Sequence, residues 1–205
     1  MSNPLRAKSA LAGVAVPGRY GTSYGEPDIV ISERIGLGLA TVAARRGNAD
    51  ALSQAVANAY GVDLPTSSRV IRGSQVSFIG YGPGQWLAVS ASLANEALAR
   101  ELSAKLAELA SISDQSGGRT VLRLSGPHAR DVLAKGLPID LDPRAFPLGS
   151  AATSAISHMG VQLWQLDDTR SYDLAIFRSV SESFWSWLTA SAAEFGYMVD
   201  AASSR

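Results

Sequence analysis

The pattern of apolar and polar positions changes period within one short stretch, Ser113 to Gly136. Gly117-Gly118 signals a turn, and Arg119–Leu124 then alternates polar and apolar side chains, as a strand buried on one face does. Ser125-Gly126-Pro127 opens a helix, because proline at the first helical position lacks only an N–H that would have no partner there. Ala129, Val132 and Leu133 follow at helical spacing, and Gly136 is predicted to end the helix in the left-handed conformation.

The rest of the chain reads around that unit. Met1 to Asp28 is predicted to be an extended tail, since Pro17, Gly18, Gly21, Gly25 and Pro27 deny it a regular element. Ile29 to Ala44 is extended, with Ile35, Leu37 and Leu39 alternating with glycines. Asn48 to Tyr60 is a helix capped by Asn48 and stopped by Gly61. Val76–Tyr81 and Trp86–Ser90 form a hairpin about Gly82-Pro83-Gly84. A helix from Ser92 to about Ala110 carries the stripe Leu98, Leu102, Leu106 and Leu109, and Ser111–Ser116 is a short strand.

The second half repeats this order without repeating its sequence. After the central strand and helix come the hairpin Thr153–His158 and Val161–Leu166 about Met159-Gly160, and the strand Tyr172–Arg178. The helix Glu182–Phe195 and the strand Tyr197–Val199 complete the half. The predicted fold is therefore α+β, two ferredoxin-like (split βαβ) halves in one body over residues 29–200. The pseudo-halves run over about 29–116 and 117–200, and residues 201–205 are predicted to be a disordered C-terminal tail.

Composition narrows the function classes. Eighteen basic and 18 acidic residues leave a net charge near zero, so no long-range field draws the chain to nucleic acid or to anionic lipid. The absence of cysteine removes disulfides, thiol catalysis and thiolate metal sites, and is compatible with the cytoplasm. The apolar run Ala10–Val16 is too short and alanine-rich for a secretory signal, and no segment approaches a membrane span. Arginine far outnumbers lysine, which suits buried or interfacial ion pairs, although a codon bias produces the same excess.

No catalytic centre emerges. His128 points away from the apolar face Ala129, Val132 and Leu133, and His158 ends a strand at a turn. About 30 residues apart and with no flanking carboxylate at metal spacing, the two histidines do not make a metal site. Asp140, Asp142, Asp167 and Asp168 read as turn formers, while Asp114 is a candidate partner for Arg119 or Arg123. Gly80-Tyr81-Gly82-Pro83-Gly84 joins two strands and opens no helix, so it is no phosphate cradle. No G-x-S-x-G elbow occurs. Trp86 and Trp164 lie on hairpin strands and are expected in the core. Phe184, Trp187, Leu188, Ser191 and Phe195 share one helical face, and Trp185 lies at its edge, either covered or free as an interface anchor. Tyr20 and Tyr24 are spaced along the tail. The candidate partner interface is Tyr20, Tyr24 and Trp185.

The run LSGPHARDVLAKG, a strand entering a G-P-x-A-x-x-x-L helix, resembles the folate-binding domain of the aminomethyltransferase (T-protein) superfamily. With the C-terminal run YDLAIFRSVSESFWSWLTASAAEFGY, it is most similar to the gamma subunits of heterotetrameric sarcosine oxidases, loosely over about Ile29 to Asp200. That resemblance implies an aminomethyltransferase folate-binding-domain-like fold in a cytoplasmic oxidoreductase complex. Such a complex demethylates sarcosine to glycine, releasing hydrogen peroxide and formaldehyde or methylene-tetrahydrofolate. It implies large (alpha), medium (beta) and small (delta) subunits as partners. FAD, FMN, NAD, tetrahydrofolate and zinc would belong to those other subunits, with no cofactor on this chain. The catalytic aspartate region of active aminomethyltransferases finds no match here, and without cysteine the chain cannot belong to the iron–sulfur repair branch. The alternatives are a stand-alone folate-dependent aminomethyltransferase-like protein and a homodimeric interaction module.

Overall fold

The computed structural model describes residues 8–21, 25, 27–165 and 170–203. In chain order the first elements are β1 (Gly18–Tyr20), β2 (Ile29–Arg34), β3 (Gly38–Ala44), α1 (Ala49–Tyr60), β4 (Val70–Arg72), β5 (Ser77–Gly82) and β6 (Gln85–Ser90). Next come α2 (Glu96–Leu106), β7 (Ala110–Asp114), β8 (Arg119–Ser125), α3 (Ala129–Ala134) and β9 (Ala151–Ile156). The last are β10 (Met159–Gln165), β11 (Tyr172–Phe177), α4 (Ser181–Ala192) and β12 (Tyr197–Val199).

The strands form two sheets. One has the order β4-β5-β6-β3-β7, in which β5-β6-β3-β7 is the split βαβ arrangement. The other has the order β1-β12-β2-β8-β11-β10-β9, antiparallel throughout except for the β12–β2 pair. Helices α1 and α2 cover the outer face of the first sheet through Leu52, Val56, Leu98, Leu102 and Leu106. Helices α3 and α4 cover the outer face of the second through Val132, Leu133, Phe184 and Leu188. The inner faces pack on each other through Leu39, Ile79 and Leu87 against Val121, Trp164 and Ala175. The layers thus run helix, sheet, sheet, helix, an α+β fold of two related halves. Among the described residues no helix is long and apolar enough to cross a membrane.

The two halves exchange a strand. The extended stretch Ile29–Ala44 divides at Gly36, which turns the chain at a φ of 70°. After that turn β3 enters the first sheet, while β2 lies in the second between β12 and β8. The chain therefore enters the first sheet after residue 36, not at 29, and leaves it between β7 and β8, where the sequence repeat placed the division of the halves at 116.

Both chain ends are tied to this second sheet, contrary to expectation. Gly18–Tyr20 pairs antiparallel with β12, and Leu11 is only 1% exposed in the core beneath α4. At the other end the Ser203 N–H donates to the Glu33 carbonyl at 2.9 Å, and the Ile35 N–H to the Ser203 carbonyl at 2.9 Å. Such short pairings show no periodicity in sequence, because their partners lie at the far end of the chain. The three-residue β4, which pairs with the adjacent β5, is too short to show a period of its own.

Three local expectations change. The second helix begins at Glu96, not Ser92, because the Ser90 hydroxyl accepts the N–H groups of Ser92 (3.2 Å) and Leu93 (3.0 Å) and holds them in a turn. The β9–β10 hairpin turns on Ser157 and His158, both at positive φ, not on Met159-Gly160. Gly136 is not in the left-handed region; it is required for space, since a Cβ there would lie 2.7 Å from the Trp187 ring. The left-handed glycine of the central motif is Gly126, at φ 119°, where a Cβ would lie 2.1 Å from the Asp28 carbonyl.

Candidate functional site

Of the two described residues singled out for a partner, Tyr20 is exposed and Trp185 is not. Tyr20 is 38% exposed on the edge strand β1, stacked on Tyr197 with ring centroids 5.3 Å apart, and its hydroxyl donates to the Val16 carbonyl at 2.9 Å. Trp185 is 6% exposed and packs in the core between α4 and its sheet. The buried face of α4 runs through Phe184, Trp185, Leu188 and Ala192, and it is Trp187 that is half-buried at the edge, against Gly136. Tyr24 lies outside the described residues, as do Asp167 and Asp168.

The histidines stay apart from each other. His128 precedes α3; its ring stacks on Phe195 at 4.6 Å and its Nδ1 lies 2.6 Å from Asp131 Oδ2. His158 is an exposed turn residue. Asp140 and Asp142 each accept a backbone N–H two residues on, both at 2.9 Å, as turn formers do. Hydrogen bonds from Arg144 hold the Asp142 carboxyl below its usual range. Asp114 pairs with neither arginine: its Oδ1 accepts from the Ser116 backbone and hydroxyl at 3.1 and 2.7 Å.

The charged group that sequence reading missed lies between the sheets. On the second sheet, the odd-numbered residues of β8 and β11 turn toward the partner sheet. Asp173 and Arg123 are directly opposed in register, and Arg34 approaches from β2 on the next strand. Arg123 donates through Nε to Asp173 Oδ1 (2.9 Å) and through Nη2 to Oδ2 (3.1 Å). Arg34 Nη1 donates to the same Oδ2 at 2.8 Å. Asp173 is 2% exposed and the Arg34 side chain 10%. Burial pulls the Arg34 guanidinium below its ordinary value, and the Asp173 charge partly offsets this. The available signal was alternation: Arg119, Val121 and Arg123 share one face of β8 opposite an acidic position on β11.

These groups line a cleft of about 310 Å³ at one end of the inter-sheet layer. Its opposite wall is Leu37, Val70, Ile79 and Val89, with Trp164 beside Asp173 and Arg72 at the mouth. Away from the cleft the same layer is closed. There the Arg119 guanidinium lies 4.6 Å from the centre of the Phe177 ring and 5.8 Å from that of Tyr81. A second hollow, about 560 Å³, lies beside the start of α1 and the β5–β6 turn, with Trp86 on its wall. Trp86 and Trp164 are core residues, as their hairpin positions predicted.

Residues 45–194 match the model of the sarcosine oxidase, gamma subunit family, from just after β3 to the end of α4. The chain belongs to the sarcosine oxidase gamma subunit family. Two relatives support the assignment. The sarcosine oxidase subunit gamma of Corynebacterium sp. (strain P-1) is 38% identical over 144 residues, which cover 69% of this chain and 70% of the relative. That of Corynebacterium sp. (strain U-96) is 34% identical over 162 residues, covering 78% and 75%. Among solved structures, a chain of the heterotetrameric sarcosine oxidase from Corynebacterium sp. U-96, in complex with pyrrole 2-carboxylate, superposes with a TM-score of 0.77 at 28% identity. The match covers 92% of this chain and 96% of that one. The glycine cleavage system aminomethyltransferase T from Bartonella henselae shares the fold at a TM-score of 0.52 and 12% identity, over 82% of this chain and 50% of its own. The fold of this chain is thus shared with about half the length of that aminomethyltransferase.

Proposed function

We propose that this chain is the non-catalytic gamma subunit of a cytoplasmic heterotetrameric sarcosine oxidase. Its large, medium and small partner subunits would carry the flavins, the dinucleotide, the folate site and the zinc. Its own part is to dock and hold the assembly that converts sarcosine to glycine, with hydrogen peroxide and formaldehyde or methylene-tetrahydrofolate as the other products. The observation that carries this reading is the near-complete superposition on a chain of a heterotetrameric sarcosine oxidase, 92% of this chain on 96% of that one.

The surface we assign to docking is the N-terminal segment around β1. Of the six exposed large hydrophobic residues among those described, Val14, Val16 and Tyr20 lie there together. With a balanced net charge, association must draw on apolar and aromatic area of this kind. Strand β1 is also the edge strand of its sheet, the position at which a partner's backbone can add. Trp185 takes no part, because it is core.

The test is affinity purification of the tagged chain from its native host, with mass spectrometry of the bound proteins. The expected result is stoichiometric recovery of three further oxidase subunits. Recovery of the chain alone, together with micromolar binding of tetrahydrofolate in calorimetry, would replace this reading with an independent folate-dependent enzyme.

A further inference from the structure

The inter-sheet cleft has the features of a ligand site that a docking role does not need. Its charged pair is unequal: the guanidinium groups of Arg34 and Arg123 share one carboxylate, Asp173. The donors are in surplus as well. Arg34 and Arg123 hold about ten N–H donors between them. Asp173 receives three hydrogen bonds from them, on both of its oxygens. The Nε of Arg34 is buried without a partner, on a side chain nine-tenths buried. A cation held this way has lost water and gained less than one full counter-charge, since Arg123 shares the same aspartate.

We propose that this cleft binds a small organic acid, with its carboxylate on Arg34 and Arg123 and an apolar body against Leu37, Val70 and Val89. A planar carboxylate is the anion that two forked guanidinium groups bind most readily with paired N–H bonds. The apolar side chains beside the charged end, Leu37, Val70 and the partly exposed Val89, set the other half of the ligand and favour an organic acid over a bare inorganic anion. Size agrees: about 310 Å³ equals the liquid volume of about ten waters, which suits a body of about ten heavy atoms. The site is complete within this chain, so the proposal is tested independently of any assembly with oxidase subunits.

The experiment is calorimetric titration of the full chain with phenylacetate, with its neutral isostere phenylacetamide, and with inorganic phosphate. Phenylacetate should bind saturably and at least about tenfold more tightly than either control. Arg123→Gln should weaken phenylacetate binding by about tenfold. Arg72→Gln, at the exposed mouth, should fold normally and weaken it by a smaller factor. The acid–amide comparison uses the unaltered chain, so it decides the question even if Arg123→Gln does not fold. Equal binding of acid and amide would overturn the proposal. So would tighter binding of phosphate, no binding of phenylacetate up to about 10 mM, or binding that neither variant alters.

Discussion

The outer and inner faces of the two sheets are built on different principles. The outer faces, under the helices, are mainly apolar and centred on residues such as Leu174, Phe184, Val56 and Leu102, with a few buried polar groups such as the hydrogen-bonded pair Ser181 and Thr120. The inner faces mix a small apolar cluster with Arg34, Arg123 and Asp173 at one end and Arg119 under two aromatic rings toward the other. The outer faces supply hydrophobic stabilisation of about 25 cal/mol per Å² buried, and best tolerate apolar substitutions that conserve volume. The inner face fixes how the two sheets meet, because each buried charge must find its own partner. It also leaves a polar cleft where charge is not fully balanced.

Breaking the inner face should have the largest effect. Asp173→Ala leaves two guanidinium groups facing each other without a counter-charge, and should cost about 3–5 kcal/mol in urea denaturation. A loss below about 1 kcal/mol would mean that water replaces the carboxylate and that the inner face is not selective. On an outer face, Leu11→Ala should cost about 2–5 kcal/mol, because the side chain is fully buried beneath α4. That result would establish the N-terminal segment as core, and a change near zero would return it to the status of a tail. Gly136→Ala should cost about 1–3 kcal/mol. Gly126→Ala should cost more, since its Cβ meets the Asp28 carbonyl, which cannot rotate away as the half-buried Trp187 ring can.

The smallest effect belongs to Tyr60, at the edge of the first outer face. Its hydroxyl is buried without a partner, and burial pushes its pKa up to about 12. An unfolded tyrosine titrates near about 10. The stability tied to the neutral hydroxyl is therefore intact below about 10 and is lost as pH rises toward about 12. Tyr60→Phe should leave neutral-pH stability within about 0.5 kcal/mol and flatten part of this alkaline slope, as a melting series between the two values would report.

The outer faces were readable because each depends on one element's own periodicity. Leu98, Leu102 and Leu106 of α2, strand β8 and the helix after Gly126-Pro127 appear where local spacing placed them, although α2 ends at Leu106, short of Leu109, and β8 is buried on both faces and not on one. The strand-to-helix unit also carried the family. The face of α4 was misjudged by one position, with Trp187 put inward and Trp185 at the edge, because both satisfy helical spacing and only the sheet beneath decides between them. What could not be read was every feature that needs two distant segments: β1 on β12, Ser203 on β2, and Arg34 from the first half on Asp173 from the second. The strand exchange at Gly36 is the common cause, since it brings β2 beside β8 and β12. Asp114 was expected to pair with an arginine for want of that information, and its oxygen instead closes a local turn with Ser116.

The most direct measurement of the account is sarcosine turnover by an oxidase reconstituted with and without this chain, and with a His128→Ala, His158→Ala variant. The account predicts that omission prevents stable assembly, while the double variant assembles and turns over within about twofold of the unaltered enzyme. A loss beyond about tenfold in the double variant with assembly intact, equivalent to about 1.4 kcal/mol of barrier, would contradict it and place catalytic chemistry on this chain.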